Sequence, residues 1–152
     1  MILENRHVVV LGAGRSGRAA VALALAEGAR VSLFDADQRA SFEGIDSRVE
    51  TAAGVTAEFG RSIVSDLLVI SPGIDTYGDF VSAFSQKTRE LIGETELAAR
   101  FYSGKIVGIT GTNGKTTTTE LVEGILNHSG LSCVACGNYG VPFSEVLLME
   151  LV

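Results

Sequence analysis

Basic clusters are absent from this sequence. Its 12 lysines and arginines are spread among 18 aspartates and glutamates, for a formal charge of −6. That excludes nucleic acid as a bulk partner, although a single pocket of local donors could still hold phosphate. No apolar run approaches the roughly 18 residues of a membrane span. The opening MILENRHVVVLG lacks a basic region followed by a cleavage site, so the expected location is cytoplasmic, with no membrane partner. Only two prolines stand against 18 glycines, a balance that fits many tight βα turns better than a flexible linker. Cysteine is nearly absent too: Cys133 and Cys136 form one CxxC in LSCVACG. A zinc site would need two more ligands, and the only histidines are His7 and His128. A redox CxxC normally opens a helix, whereas this one lies in an apolar, strand-like run. Both cysteines are therefore expected as small buried core residues.

Apolar residues make up 46% of the chain, enough for a core and too many for disorder. HVVVLG (7–12) is a short apolar run ending in glycine, as a buried parallel strand should. RSGRAAVALALAEG (15–28) reads as a helix stopped by Gly28, and ARVSLFD (29–35) as a second strand ending on an acid. Together they make a βαβ unit. Within 36–66 the pattern is weaker, with a short strand at RVETAAG (48–54) and a short helix at TAEFGRSI (56–63). LLVISPG (67–73) is a buried strand running into a turn, GDFVSAFSQ (78–86) a helix, RELIGE (89–94) a short strand and TELAARFYSG (95–104) a helix.

At KIVGIT (105–110) a fresh strand is expected, followed by a loop and the helix 115–130, with Leu121, Val122, Ile125 and Leu126 as the face to bury. LSCVAC (131–136) reads as another strand, GNYGVP (137–142) as a loop and 143–152 as a helix. The expected fold is α/β: a Rossmann-like parallel-sheet domain over 1–93, then the start of a P-loop α/β ATPase domain over 94–152. A second unit of about sixty residues with two strands would leave its hydrophobic faces open. The sequence is thus expected to be the front piece of a longer protein, or one that associates to cover that surface.

Two glycine-rich turns carry the chemistry. In TGTNGKTT, Gly111 and Gly114 let backbone N–H groups turn inward around phosphate oxygens, and the following helix aims its positive end there. Lys115 is the candidate catalytic residue, placed to neutralise the β and γ phosphates, and Thr116 is placed to ligate Mg²⁺. Thr112, Asn113 and Thr117 support them, so the expected cofactors are ATP and Mg²⁺. The earlier GAGRSG sets Gly12, Gly14 and Gly17 in GxGxxG spacing, with Asp35 near the offset of a ribose-binding acid. On its own this is a dinucleotide fingerprint for NAD, or else a tight turn that only packs helix on strand.

TGTNGKTT resembles the ATP loop of the Mur ligases, the ATP-dependent amide ligases of the peptidoglycan stem peptide. GAGRSG, FDAD (34–37), SPGI (71–74), GETEL (93–97) and GNYGVP follow in the order found in the family branch that adds D-glutamate. The resemblance implies that the first domain holds the UDP part of UDP-N-acetylmuramoyl-L-alanine. Gly14, Arg15 and Ser16 would then lie near the diphosphate, with donors from the Arg15 and Ser16 backbone. Asp35 would meet the uracil, Ser71, Pro72 and Gly73 would shape the pocket, and Asn138 would reach the substrate. It also implies reaction through an acyl phosphate, displaced by D-glutamate, in a protein that is monomeric at full length. The present chain alone is expected to be inactive. Ala36 and Asp37 depart from the family pattern, and a carboxylate at Asp37 beside a diphosphate is unfavourable unless it turns away. Two other classes remain open on the residues alone: an NAD-dependent oxidoreductase, which leaves TGTNGKTT unexplained, and a non-catalytic nucleotide-binding module.

Overall fold

The computed structural model describes residues 2–138 and 140–150. Tyr139 of the expected loop and the last two residues of the expected final helix lie outside them. Five strands form one sheet: β1 (His7–Leu11), β2 (Arg30–Asp35), β3 (Glu50–Ala53), β4 (Ser65–Ile70) and β5 (Thr88–Gly93). The order is β3-β2-β1-β4-β5 and every pairing is parallel. The chain winds outward from β1 to β3, then returns beside β1 to build β4 and β5. The strand order therefore reverses between the carboxyl ends of β1 and β4, where open α/β sheets form their crevice.

Parallel strands must be covered on both faces, and the two-residue period of β1 meets that need. Val8 and Val10 join Leu33, Leu67 and Val69 on one face, while Val9 and Leu11 join Phe34, Leu68 and Ile70 on the other. The first face is covered by α1 (Arg15–Ala26) and α4 (Glu94–Ala99), against which α6 (Phe143–Glu150) packs, and Ala20, Leu23, Ala24, Leu97, Phe143 and Leu147 join one core there. The second carries α2 (Ala57–Ser62) and α3 (Asp79–Ser85). There Phe59 meets Phe34 edge-on at 5.1 Å between centroids, and Phe80 meets Phe84 at the same distance. The result is a three-layer, Rossmann-like α/β fold.

The glycine stop expected at Gly28 is a Schellman turn: Gly28 (φ +78°) donates to the Leu25 carbonyl and Ala29 to that of Ala24. β4 ends at Ile70 and runs into the expected turn at 71–73, where Pro72 has no N–H for a ladder and Gly73 turns left-handed at φ +89°; only its start is earlier than expected, at Ser65. The expected helix 95–104 is shorter, closing at Ala99.

Residues 105–110 and 131–136 do not form the expected strands; only an isolated bridge joins Cys136 to Val141. A strand needs a hydrogen-bonded neighbour, and these two apolar runs find none among the described residues. Ile106 and Val107 are more than half exposed as a result. The helix after the loop does form, as α5 (Lys115–His128), yet it buries no residue. Its expected inner face is open, with Leu121 62% and Ile125 55% exposed. The cysteines are likewise only half-buried free thiols and not core residues, since the sheet that would cover them is not formed.

Helix α1 can approach β1 only because Gly17 lacks a side chain. A Cβ there would stand 1.8 Å from the Gly12 carbonyl oxygen and 2.8 Å from Ser71 Oγ. The first obstacle is backbone and cannot swing aside, so Gly17→Ala should cost at least about 3 kcal/mol, the upper end for overpacking. Gly14→Ala is the control: its Cβ meets nothing within 4 Å and its φ is −70°. It should change stability by less than about 1 kcal/mol. Urea unfolding of the two variants measures both.

Candidate functional site

The turn after β1 is held from three directions. Gly12 N–H donates to the Phe34 carbonyl at 2.8 Å, Ser71 N–H to the Leu11 carbonyl at 3.0 Å, and Ser71 Oγ–H to the Gly12 carbonyl at 3.3 Å. Asp35 takes the Ala13 N–H on Oδ2 at 2.7 Å and the Asp37 N–H on Oδ1 at 2.8 Å. Arg18 takes the opposite side of the turn: Nε donates to the Ala13 carbonyl at 2.9 Å, Nη1 to that of Glu43 at 2.7 Å, and Nη2 to that of Ser41. With the turn fixed, Gly14 stands at the N-cap of α1 and offers no side-chain cap. The first N–H groups of the helix therefore remain available, the arrangement that accepts anions.

Two cavities open along the carboxyl edge of the sheet. One, of about 260 Å³, is lined by Gly12, Gly14, Asp35, Ala36, Ser71, Pro72, Ile74 and Phe80. The other, of about 220 Å³, is lined by Ser71, Pro72, Gly73, Thr76, Glu94, Thr95 and Asn138 among others. They share the wall Ser71, Pro72 and Ile74. Gly14, Asp35, Ser71 and Pro72 are thus gathered around the first cavity, and Ser71, Pro72, Gly73 and Asn138 around the second. Ser16 is half-buried in the first turn of α1. Asp37 turns into its own loop, where Oδ1 accepts the Arg39 N–H at 2.9 Å, and it lines neither cavity.

The side chain of Arg15 leaves the turn for α6. Nε and Nη2 donate to the two Glu145 carboxylate oxygens at 3.0 Å each, and Nη1 donates to the Gly140 carbonyl at 2.9 Å. Those hydrogen bonds hold the Glu145 carboxyl below the usual carboxylate range. Glu94, only 1% exposed at the start of α4, accepts the Ser144 N–H on Oε1 at 2.7 Å. It thereby satisfies one of the first donors of α6.

The loop Gly111–Gly114 and the first turn of α5 stand apart from these cavities; none of residues 111–117 lines either. All seven are exposed. Gly114 caps α5 in the left-handed region at φ +74° with no side-chain cap, and no acid lies in the first turn. Lys115 Nζ folds back onto the Gly111 carbonyl.

Sequence reasoning missed Arg18, Glu94, Thr95 and Glu145. Only Arg18 had a local signal, since a residue one helical turn beyond Gly14 faces the same turn. Glu94 and Glu145 are brought in by contacts across 50 and 130 residues of chain, which no local pattern encodes, and Thr95 follows Glu94 onto the cavity wall.

Among the described residues no helix is long and apolar enough to cross a membrane. Residues 6–93 match the Mur ligase MurD-like N-terminal domain, and residues 109–145 the Mur ligase middle domain. A UDP-N-acetylmuramoylalanine--D-glutamate ligase of Lachnoclostridium phytofermentans is 38% identical over 150 residues, covering 94% of this chain and 33% of its own length. The same-named ligase of Chromobacterium violaceum is 39% identical over 157 residues, covering 97% of this chain and 34% of its own length. The chain thus spans about a third of the length of the curated relatives it matches. In fold it is similar to a murein peptide ligase from Psychrobacter arcticus, with a TM-score of 0.54 and 22% identity over 83% of this chain and 27% of that one. With 88 consecutive residues matching its N-terminal domain, from 6 to 93, the chain belongs to the Mur ligase family, in its MurD-like branch.

Proposed function

We propose that this protein serves as an ATP-dependent ligase of cytoplasmic peptidoglycan-precursor synthesis, adding D-glutamate to UDP-N-acetylmuramoyl-L-alanine. The carrying observation is the pair of adjoining cavities at the strand-order reversal, with the open Gly14 turn in one and Asn138 at the wall of the other. A ligand with a nucleotide at one end and a sugar-peptide at the other suits two joined compartments better than one. The curated relatives act on such a molecule by name.

In this reading residues 1–93 grip the UDP handle and residues 94–152 begin the ATP unit. The uncapped start of α1 meets the diphosphate through the Gly14, Arg15 and Ser16 backbone. Asp35, with one backbone N–H on each oxygen, keeps lone pairs for a uracil or ribose donor. Ser71 and Pro72 stand in the dividing wall, Gly73 lines the second cavity, and Asn138 meets the distal part of the substrate.

The residues of the second loop fit a nucleoside triphosphate: α5 has an uncapped start, no acid in its first turn, and no neighbour within 4 Å of a Cβ placed on Gly114. Gly111 to Thr117 would hold ATP, and the Thr116 hydroxyl would hold Mg²⁺; together they supply the phosphoryl group that activates the substrate carboxylate for amide formation. Lys115, now resting on the Gly111 carbonyl, would move to the phosphates and offset charge building there.

Two outcomes test the reading. Calorimetric titration of this chain should show UDP-N-acetylmuramoyl-L-alanine and UMP binding and NAD⁺ silent, and Gly14→Ala should weaken both UDP ligands at least about tenfold by narrowing the anion site while the fold stays intact. NAD⁺ binding alone would replace the ligase with an oxidoreductase. In the longer protein, Lys115→Met should lower kcat by about 10²-fold or more with UDP-substrate affinity unchanged. Asp35→Asn should do the reverse, raising KM and sparing kcat. Phosphate-release kinetics separate the two.

A further inference from the structure

We infer that Arg15 and Glu145 are positioning residues, an ion pair that fixes the segment carrying Asn138 against the edge of the sheet; this rests on the proposal that the joined cavities hold a UDP-linked substrate. Among the described residues from Gly137 to the start of α6, little regular structure holds the chain. Its own backbone contributes the Gly137 N–H to the Val141 carbonyl at 2.9 Å and the bridge of Cys136 to Val141. Further support comes from side-chain bonding from the sheet unit. On one side Arg15 commits three donors to this segment, two to Glu145 as a fork and one to Gly140. On the other side the buried Glu94 carboxylate takes the Ser144 N–H. Asn138 lies two residues before the Gly140 anchor, on the wall of the cavity that Glu94, Thr95 and Gly73 also line.

An exposed Arg–Glu pair is ordinarily worth little. This one differs in geometry and span, because a bidentate fork plus a carbonyl acceptor fixes direction as well as distance, and it joins residues 130 apart in sequence. Arg15 also sits next to Gly14, so its guanidinium has an obvious rival role as a direct phosphate ligand. The two roles predict opposite consequences of removing Glu145. If Arg15 bound phosphate directly, freeing it would strengthen binding. If it acts through the segment, losing either partner releases Asn138 and weakens binding of any ligand that reaches the second cavity.

The experiment compares Arg15→Met, Arg15→Lys, Glu145→Ala and the Arg15→Met/Glu145→Ala double variant of this chain, by calorimetry and by amide hydrogen exchange. Each single variant should weaken UDP-N-acetylmuramoyl-L-alanine by about three- to tenfold, with the double variant no worse than the weaker single, as coupled partners behave. Arg15→Lys keeps the charge without the fork and should fall with Arg15→Met. UMP, which fills only the first cavity, should bind the Glu145→Ala variant within about twofold of the parent, a change too small to count as a lost contact. Exchange of the Gly137 amide should quicken in every variant while amides of β1 and β4 stay protected. Tighter binding by Glu145→Ala, or unchanged Gly137 exchange, would overturn the inference. If the parent chain binds neither UDP ligand, the ligase reading falls, and the Gly137 amide alone decides whether the ion pair anchors the segment.

Discussion

A single backbone contact governs the geometry of this molecule. Helix α1 starts so close to the end of β1 that Gly17 faces the Gly12 carbonyl with no room for a methyl group. That approach brings the uncapped start of α1 to the point where the strand order reverses. It also lets Ser71, at the end of β4, bond to Gly12 and close the crevice floor. The cavities, the open backbone at Gly14 and the shared wall at Ser71 to Ile74 all follow from it. Without that approach the same strands would still pair, but the crevice would lose the side formed by the start of α1.

Charge is used to position backbone more than to meet solvent. Asp35 and Arg18 clasp the first turn from its N–H and C=O sides, Glu94 satisfies the start of α6, and Arg15 ties α1 to the segment before α6. Each is a charge-assisted bond to a backbone group, stronger and more directional than its neutral equivalent. The acid near the end of β2 thus has a structural task whatever ligand it meets, and that task leaves its carboxylate facing the cavity with acceptor capacity to spare.

The βαβ start was legible because its signals agree: a buried apolar run, a glycine turn, an alanine-rich helix and a glycine stop occur in order from His7 to Asp35. β4 was legible in its core and at its end, where Pro72 stops the ladder, while its start at Ser65 lies two residues before the apolar run. Residues 105–110 and 131–136 carry as strong an apolar signal as β1 and yet are not strands. Strand propensity is a statement about neighbours, and β1 has β2 and β4 beside it where these runs have none. The candidate site was legible where motif spacing sets it, at Gly14, Asp35 and Ser71. It was illegible at Glu94 and Glu145, whose roles exist only once distant segments meet.

The central claim is that the two cavities form one extended site for a UDP-linked substrate. Amide chemical-shift mapping of the isotope-labelled chain with UDP-N-acetylmuramoyl-L-alanine tests it most directly. The account predicts shifts at Gly14, Ser16, Ala36, Ser71, Gly73 and Asn138 together, saturating with one affinity. Shifts confined to the Gly14 to Ala36 side, with Gly73 and Asn138 unmoved at saturation, would contradict it.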